Sequence, residues 1–188
     1  FFAELNAGLP PVLDVEYQGG LADYDVSLLT LSVLKGLMSS GSDEPVTFVN
    51  APQLVKERGT EVRELKTATT RDYENLIVIR GGDHSVAATL FGLNGEHRIV
   101  MVDDHVVAVP PSRHMLVVRN EDRPGRAAAA LTVLGEAGVN ASDIALGRSP
   151  AGEAALMVVA TDGPVPASAL ANLRATDGIL SAHPVTLE

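Results

Sequence analysis

The chain has 188 residues, of which 46% are apolar and 20% charged, a balance typical of a globular protein with one large or two small domains. The formal net charge of −10 argues against nucleic acid or an anionic membrane as a partner, because either needs clustered lysine and arginine. The absence of cysteine excludes a disulfide framework, a thiolate zinc site and an iron–sulfur cluster within these residues.

The sequence contains no apolar run long enough to span a bilayer and no visible signal peptide, so we expect a cytoplasmic protein. It carries no internal repeat and no low-complexity segment. Because it opens at Phe1 and not at methionine, we also expect it to be a fragment of a longer chain.

The first 112 residues predict an α+β domain that begins with a strand and two helices. Alternation over residues 12–17 predicts a strand with one buried face, formed by Leu13, Val15 and Tyr17. Helical spacing predicts a helix over residues 25–39, capped by Asp23 or Asp25, with its apolar face formed by Val26, Leu29, Val33 and Leu37. A second helix is expected over residues 51–58, with Asn50 as its N-cap and Gly59 at its end.

The rest of this first domain predicts a mostly antiparallel sheet. Strand-like runs occupy residues 61–67, 74–80, 84–91, 98–103 and 105–109. Gly81-Gly82 and Asp103-Asp104 stand where hairpin turns are expected. Pro110-Pro111 favours an extended connector, so we place the domain boundary between residues 112 and 113.

Residues 113–188 predict a second domain with the ferredoxin-like order βαββαβ. Its first helix, over residues 125–137, has Ala127, Leu131 and Leu134 on one face and ends at Gly138. The expected strands and second helix cover residues 115–118, 141–148, 154–160, 167–175 (the helix) and 179–187, with a hairpin turn at 149–152.

The turn Asp122-Arg123-Pro124-Gly125 joins the first strand of this domain to its first helix. A helix N-terminus attracts anions through its unpaired amides and its dipole, and a neighbouring carboxylate attracts cations. A small zwitterion such as an amino acid would satisfy both. The alternative is structural: Asp122 caps the helix and Pro124 occupies its first turn.

This turn resembles the first turn of an ACT domain, the amino-acid-sensing regulatory module. A longer, ordered set of segments resembles the intervening domain of long-form D-3-phosphoglycerate dehydrogenase followed by an ACT domain. These segments are Val46-Thr-Phe-Val-Asn-Ala-Pro52, the helix ending Glu57-Arg-Gly59, Thr89-Leu-Phe-Gly92, Arg98-Ile-Val100, Asp103-Asp104 and His114 to Gly125.

The resemblance implies a regulatory, non-catalytic portion of an NAD-dependent enzyme of L-serine biosynthesis, which binds L-serine and mediates homo-oligomerisation. This sequence contains no Gly-x-Gly-x-x-Gly fingerprint and no counterpart of the catalytic residues of the family. The resemblance therefore implies that NAD binds to domains outside this sequence. In serine-sensing members an aspartate and an asparagine hold L-serine across a dimer interface, and the matching positions here are Asp122 and Asn140. Asn120 stands where some members carry an aromatic residue, a departure that could alter selectivity.

A basic group formed by His97, Arg98 and His105 lies on consecutive predicted strands. In some members of the family, basic residues in this region bind the phosphorylated substrate or another anion; ordinary solvated side chains are the alternative. Asp103, Asp104 and His105 do not make a convincing metal site, because adjacent residues on a turn rarely converge on one ion.

Three other functions remain open at this stage. The chain could be a purely structural oligomerisation module whose ligand site has decayed. It could be the regulatory region of an L-serine dehydratase, some of which share this domain pair. A small independent enzyme that uses the histidines and aspartates of the first domain is the third.

Overall fold

The computed structural model describes residues 1–39, 45–70, 72–148 and 154–187. These residues form two compact units, residues 2–97 and residues 98–187, and both mix helices with a sheet. The α+β fold class expected from the sequence is therefore confirmed.

The first unit contains three helices, a short 3-10 helix and a sheet with the strand order β2-β1-β3-β4. Strands β1 and β2 run parallel, whereas β1 with β3 and β3 with β4 are antiparallel. The bounds are α1 Phe2–Leu5, β1 Val12–Gly19, the 3-10 helix Gly20–Asp23, α2 Ser27–Ser39, α3 Ala51–Glu57, β2 Glu61–Thr67, β3 Asn75–Gly81 and β4 His84–Phe91.

Strand β1 lies at the centre of this unit, and its alternation has the predicted consequence. Leu13, Val15 and Tyr17 are fully buried, because successive side chains of a strand point to opposite faces. The Tyr17 hydroxyl shares a hydrogen bond of 2.8 Å with the Thr30 hydroxyl of α2. Of the predicted α2 face, Val26 and Leu37 are buried, whereas Leu29 and Val33 are only partly buried. Their place in the core is taken by Thr30, Leu34 and Met38.

Side-chain caps were predicted at the starts of α2 and α3, and the structure has the first but not the second. The Asp25 carboxylate accepts hydrogen bonds from the backbone and hydroxyl of Ser27, at 2.9 and 2.5 Å. Asn50 makes no side-chain cap of α3, contrary to the prediction. Its Oδ1 instead accepts hydrogen bonds from the backbone N–H and the hydroxyl of Thr47, in the turn before the helix. This oxygen therefore does not bond to the amides of α3.

The second unit contains the predicted βαββαβ order, preceded by a hairpin. Its four-stranded antiparallel sheet has the order β10-β7-β9-β8, which is the ferredoxin-like arrangement. The bounds are β5 Glu96–Val102 (its first two residues lie in the first unit), β6 His105–Val109, β7 His114–Glu121, α4 Arg126–Glu136, β8 Ala141–Arg148, β9 Ala154–Thr161, α5 Ala167–Ala175 and β10 Ile179–Thr186. The expected turn at 149–152 lies outside the described residues.

Both faces of this second sheet are covered. On one face, Leu116, Val118, Met157 and Val159 form a core with residues of α4 and α5 that include Leu134. On the other face, β6 approaches β8 so closely that a β-carbon at Gly147 would lie 2.4 Å from the Val106 carbonyl oxygen. This packing explains why the compact units divide between residues 97 and 98. The domain boundary expected between residues 112 and 113 stays a prediction.

Candidate functional site

The predicted site lies where β7 ends and α4 begins. Gly125 is the N-cap of α4, with a φ of +87°, and it makes no side-chain cap. Its carbonyl accepts the first bond of the helix, from the Ala129 amide at 2.9 Å. The structure thus rejects the structural alternative in which Asp122 caps the helix and Pro124 stands in its first turn. The turn leaves the Asp122 side chain to other partners.

Asp122 is held in an ion pair that the sequence did not indicate. Its Oδ1 lies 3.3 Å from Nε of Arg148, the last residue of β8. The Asp122 side chain is 20% exposed and the Arg148 side chain 76% exposed. A partly buried carboxylate and a largely solvated guanidinium therefore stand side by side beside the start of α4.

A second group of charges fixes the first residue of α4. The Arg126 guanidinium lies 2.8 Å from the Asp177 carboxylate and 3.5 Å from that of Glu121, and it donates to the Asp177 carbonyl at 3.0 Å. It lies directly over Gly178, where a β-carbon would be 2.3 Å from the Arg126 Nε. Arg123 is more exposed and reaches Glu121 only at 3.7 Å. Arg126 therefore anchors α4 to the turn before β10, and Arg123 adds a solvated positive charge.

Asn120 lies on β7, two residues before Asp122, and is buried, with 2% of its surface exposed. Its amide nitrogen donates to the Glu121 carbonyl at 2.7 Å, whereas its Oδ1 is buried and has no hydrogen-bond partner among the described residues. A buried acceptor without a partner costs stability unless something supplies a donor. Asn120 is thus a buried polar side chain, whereas some members of the family have an aromatic residue at this position.

Asn140 lies at the other end of α4, exposed to solvent. Its amide nitrogen donates to the Asp162 carboxylate at 2.6 Å. The 11 residues of α4 separate its ends by roughly 16 Å at about 1.5 Å per residue. Asn140 and Asp122 of the same chain are therefore not brought together, and one ligand could contact both types of residue only across two copies.

The predicted basic group is not assembled. His105 is 3% exposed, and its Nδ1 is hydrogen-bonded to the Asp103 carbonyl at 2.7 Å. It pairs with Val102, so Arg98 lies four residues further along β5, roughly 13 Å away. His97 is exposed, and Arg98 has intermediate exposure. His105 is inaccessible to an anion, and of the three only His97 and Arg98 retain contact with solvent.

The described residues contain no group of three or more histidine, cysteine, aspartate or glutamate side chains placed to hold a metal ion. Within the same ranges, no helix combines the length and the apolar character needed to cross a membrane.

The βαββαβ order and the charged turn at the start of α4 define the class of the second unit, an ACT domain, and residues 114–178 match that family. ACT domains generally bind amino acids and mediate oligomerisation. Residues 7–103 match the D-3-phosphoglycerate dehydrogenase intervening domain. The chain belongs to the D-3-phosphoglycerate dehydrogenase family, of which it contains the regulatory intervening and ACT domains.

Three relatives illustrate the similarity, and all are named D-3-phosphoglycerate dehydrogenase. The protein of Synechocystis is 35% identical over 98% of this chain and 34% of its own length. The proteins of Mycobacterium bovis and Archaeoglobus fulgidus are 34% and 29% identical, over 86% and 92% of this chain and 32% and 34% of their own lengths. The chain therefore spans about a third of the length of these relatives.

Proposed function

We propose that this chain is the regulatory, non-catalytic C-terminal portion of an NAD-dependent D-3-phosphoglycerate dehydrogenase of L-serine biosynthesis, that it binds L-serine, and that it mediates homo-oligomerisation in the cytoplasm. NAD belongs to the domains that this sequence does not include. The observation that carries the proposal is the position of Asp122, a partly buried carboxylate beside the start of α4 in an ACT fold.

The chemistry of this corner suits a small amino acid. The Asp122 carboxylate accepts a hydrogen bond from the ligand ammonium. This bond is charge-assisted and therefore stronger than a bond between neutral groups. The first amides of α4 have no partners inside the helix and lie at its positive end, so they can contact a polar or anionic ligand group. Gly125 supports this approach, since even a β-carbon there would meet nothing within 4 Å.

Asn140 completes the site only from a second copy of the chain. Strand β8 is an edge of its sheet, and an edge strand offers unpaired backbone groups to another chain. Its Ile144 and Leu146 side chains are 51% and 52% exposed, an apolar surface suited to association. A two-fold pairing along this edge would bring Asn140 of one copy toward Asp122 of the other.

Titration calorimetry with L-serine on the wild type and on Asp122→Ala tests the proposal. We expect the wild type to bind and the variant to lose roughly ten- to hundredfold in affinity, because it deletes the anion that faces the ammonium. Light scattering at high micromolar concentration should show a dimer or a larger assembly. Equal binding by both proteins, or a monomer at that concentration, would contradict the proposal.

One observation favours a second candidate, a structural oligomerisation module whose ligand site has decayed. Asp122 already has a cationic partner in its own chain, Arg148. If this ion pair has replaced the ligand, the wild type will dimerise without heat of binding for L-serine. The same titration and light-scattering measurements therefore separate the two candidates.

A further inference from the structure

The ion pair between Asp122 and Arg148 leaves most of the Arg148 side chain, and a smaller part of Asp122, accessible to a ligand. The distance between Nε of Arg148 and Oδ1 of Asp122 is 3.3 Å. A guanidinium has five N–H donors, more than the two oxygens of one carboxylate can engage, so Arg148 keeps donors for a second carboxylate. The 76% exposure of the Arg148 side chain places the remaining donors toward solvent.

We infer that Arg148 is the residue that binds the carboxylate of the amino acid, while its neighbour Asp122 binds the ammonium. This inference rests on the proposed function and adds a residue that determines specificity. In an α-amino acid, one carbon atom separates the ammonium from the carboxylate, so the two charges need binding groups that stand next to each other. The side-by-side acid and base at the ends of β7 and β8 provide this arrangement within one chain.

The charge of the whole molecule explains why a dedicated arginine is needed. At a formal net charge of −10, the chain does not attract anions by its overall field. A carboxylate therefore requires a fixed cation at the site, and guanidinium is suited to it because its planar donors match both carboxylate oxygens. Arg126 cannot serve, since Glu121 and Asp177 already surround it.

Arg148 could instead act as a competitor that occupies Asp122 until the ligand displaces it. The exposure of Arg148 argues against this role, because an exposed ion pair contributes little free energy and would compete only weakly with a ligand. The two roles predict opposite results. Removing a carboxylate-binding group weakens L-serine binding, whereas removing a competitor strengthens it.

A cycle with two proteins and two ligands tests the assignment by titration calorimetry. The proteins are the wild type and Arg148→Gln, and the ligands are L-serine and L-serinamide, which keeps the ammonium and replaces the carboxylate by a neutral amide. We expect either change alone to lower the affinity roughly ten- to hundredfold. Both changes together should cost little more than one, because the arginine and the ligand carboxylate would be partners. Additive losses, or a variant that binds L-serine as well as or better than the wild type, would overturn the assignment.

Two controls make the result specific. Arg119→Gln removes an exposed arginine from β7, on the sheet face opposite the helices, and should leave L-serine binding unchanged. Circular dichroism and Tm show whether Arg148→Gln is folded, and Arg148→Lys should recover part of the affinity through its remaining charge. If Asp122→Ala loses binding and Arg148→Gln does not, only the role of Arg148 fails. If the wild type binds no amino acid, the proposed function fails and this assignment with it.

Discussion

Gly147 on β8 and Val106 on β6 are in backbone contact, with room between them for a hydrogen atom but not for a methyl group. A β-carbon at position 147 would lie 2.4 Å from the Val106 carbonyl oxygen and 3.2 Å from the His105 β-carbon. Because these neighbours are backbone atoms and a buried side chain, they cannot move aside without a shift of a whole strand. This contact ties the hairpin β5–β6 to the edge of the ACT sheet.

Gly147→Ala should therefore lower the free energy of unfolding by about 1–3 kcal/mol through overpacking. Gly135→Ala is the matched control: it lies inside α4, where a β-carbon meets nothing within 4 Å, and it should raise stability by about 1 kcal/mol. Urea titration of both variants measures the difference. Equal stability changes of the same sign would contradict the close packing of β6 on β8.

Tyr17 predicts how the first unit responds to alkaline pH. Burial raises the pKa of Tyr17, the charge of Glu64 adds to the effect, and the hydrogen bond with Thr30 opposes it. The unfolded chain therefore loses this proton first, near the ordinary value of 10.0, while the folded chain keeps it. Stability is unaffected below that pH and falls as the pH rises above it.

Tyr17→Phe should weaken this alkaline loss of stability. At neutral pH the variant should be less stable by about 1–3 kcal/mol, because it leaves the Thr30 hydroxyl buried without its partner. Urea titrations at neutral pH and above pH 10 give both quantities. The exposed Tyr24 provides the control, since Tyr24→Phe should change neither. An unchanged alkaline slope in Tyr17→Phe would show that other groups cause it.

The contact of Arg126 with Gly178 predicts a local cost of adding a side chain. Gly178 has a φ of +78°, and a β-carbon there would also meet the Arg126 guanidinium. Gly178→Ala should cost about 1–2 kcal/mol from the backbone conformation alone, plus the cost of displacing Arg126. Gly138→Ala has a similar φ of +71° and open space around it, so it measures the backbone part. The difference in stability between the two variants is the energy of the Arg126 contact, and a difference of zero would show that Arg126 moves aside freely.

Most strands could be predicted from the sequence, because the spacing of apolar residues along a strand or a helix is a local property of the chain. Residues 141–148 and 167–175 were assigned with the bounds that the structure has, and the βαββαβ order followed from them. The burial of His105 was also within reach, because it is in phase with Val107 and Val109 on one strand. The helix α1 was missed, since Phe2–Leu5 is too short to show a period.

The site was only partly predictable, for a physical reason. Asp122 and Gly125 belong to one continuous turn, so their neighbourhood can be read from the sequence. The partner of Asp122 is Arg148, on another strand, and the partner of Arg126 is Asp177, in another turn. Such pairs depend on how strands and turns are arranged in space. Residue spacing and composition do not predict that arrangement.

Replacing Asn120 with leucine is expected to stabilise the fold. Its buried Oδ1 has no partner among the described residues, and Leu is similar in shape to Asn. Asn120→Leu should raise the free energy of unfolding by about 1 kcal/mol, the difference between removing an unpaired acceptor and losing the bond to the Glu121 carbonyl. Urea titration of the wild type and the variant measures the change. A less stable variant would show that Oδ1 is satisfied, for example by water.

The proposed site makes its sharpest prediction when two defective variants are mixed. In a two-fold dimer, each site would take Asp122 from one copy and Asn140 from the other, because the two residues lie at opposite ends of α4. Asp122→Ala and Asn140→Ala should each bind L-serine weakly as pure proteins. After mixing and exchange of subunits, a mixed dimer carries one site with both residues intact, so about one site in four overall should recover wild-type affinity. Mixing the wild type with the double variant is the control. Its mixed dimers hold no intact pair, so only the wild-type homodimers keep intact sites, and the intact fraction should fall from about one half to about one quarter on exchange. Titration calorimetry counts the sites in both mixtures before and after exchange. No gain of sites in the first mixture, together with no loss in the control, would show that Asp122 and Asn140 act within one chain.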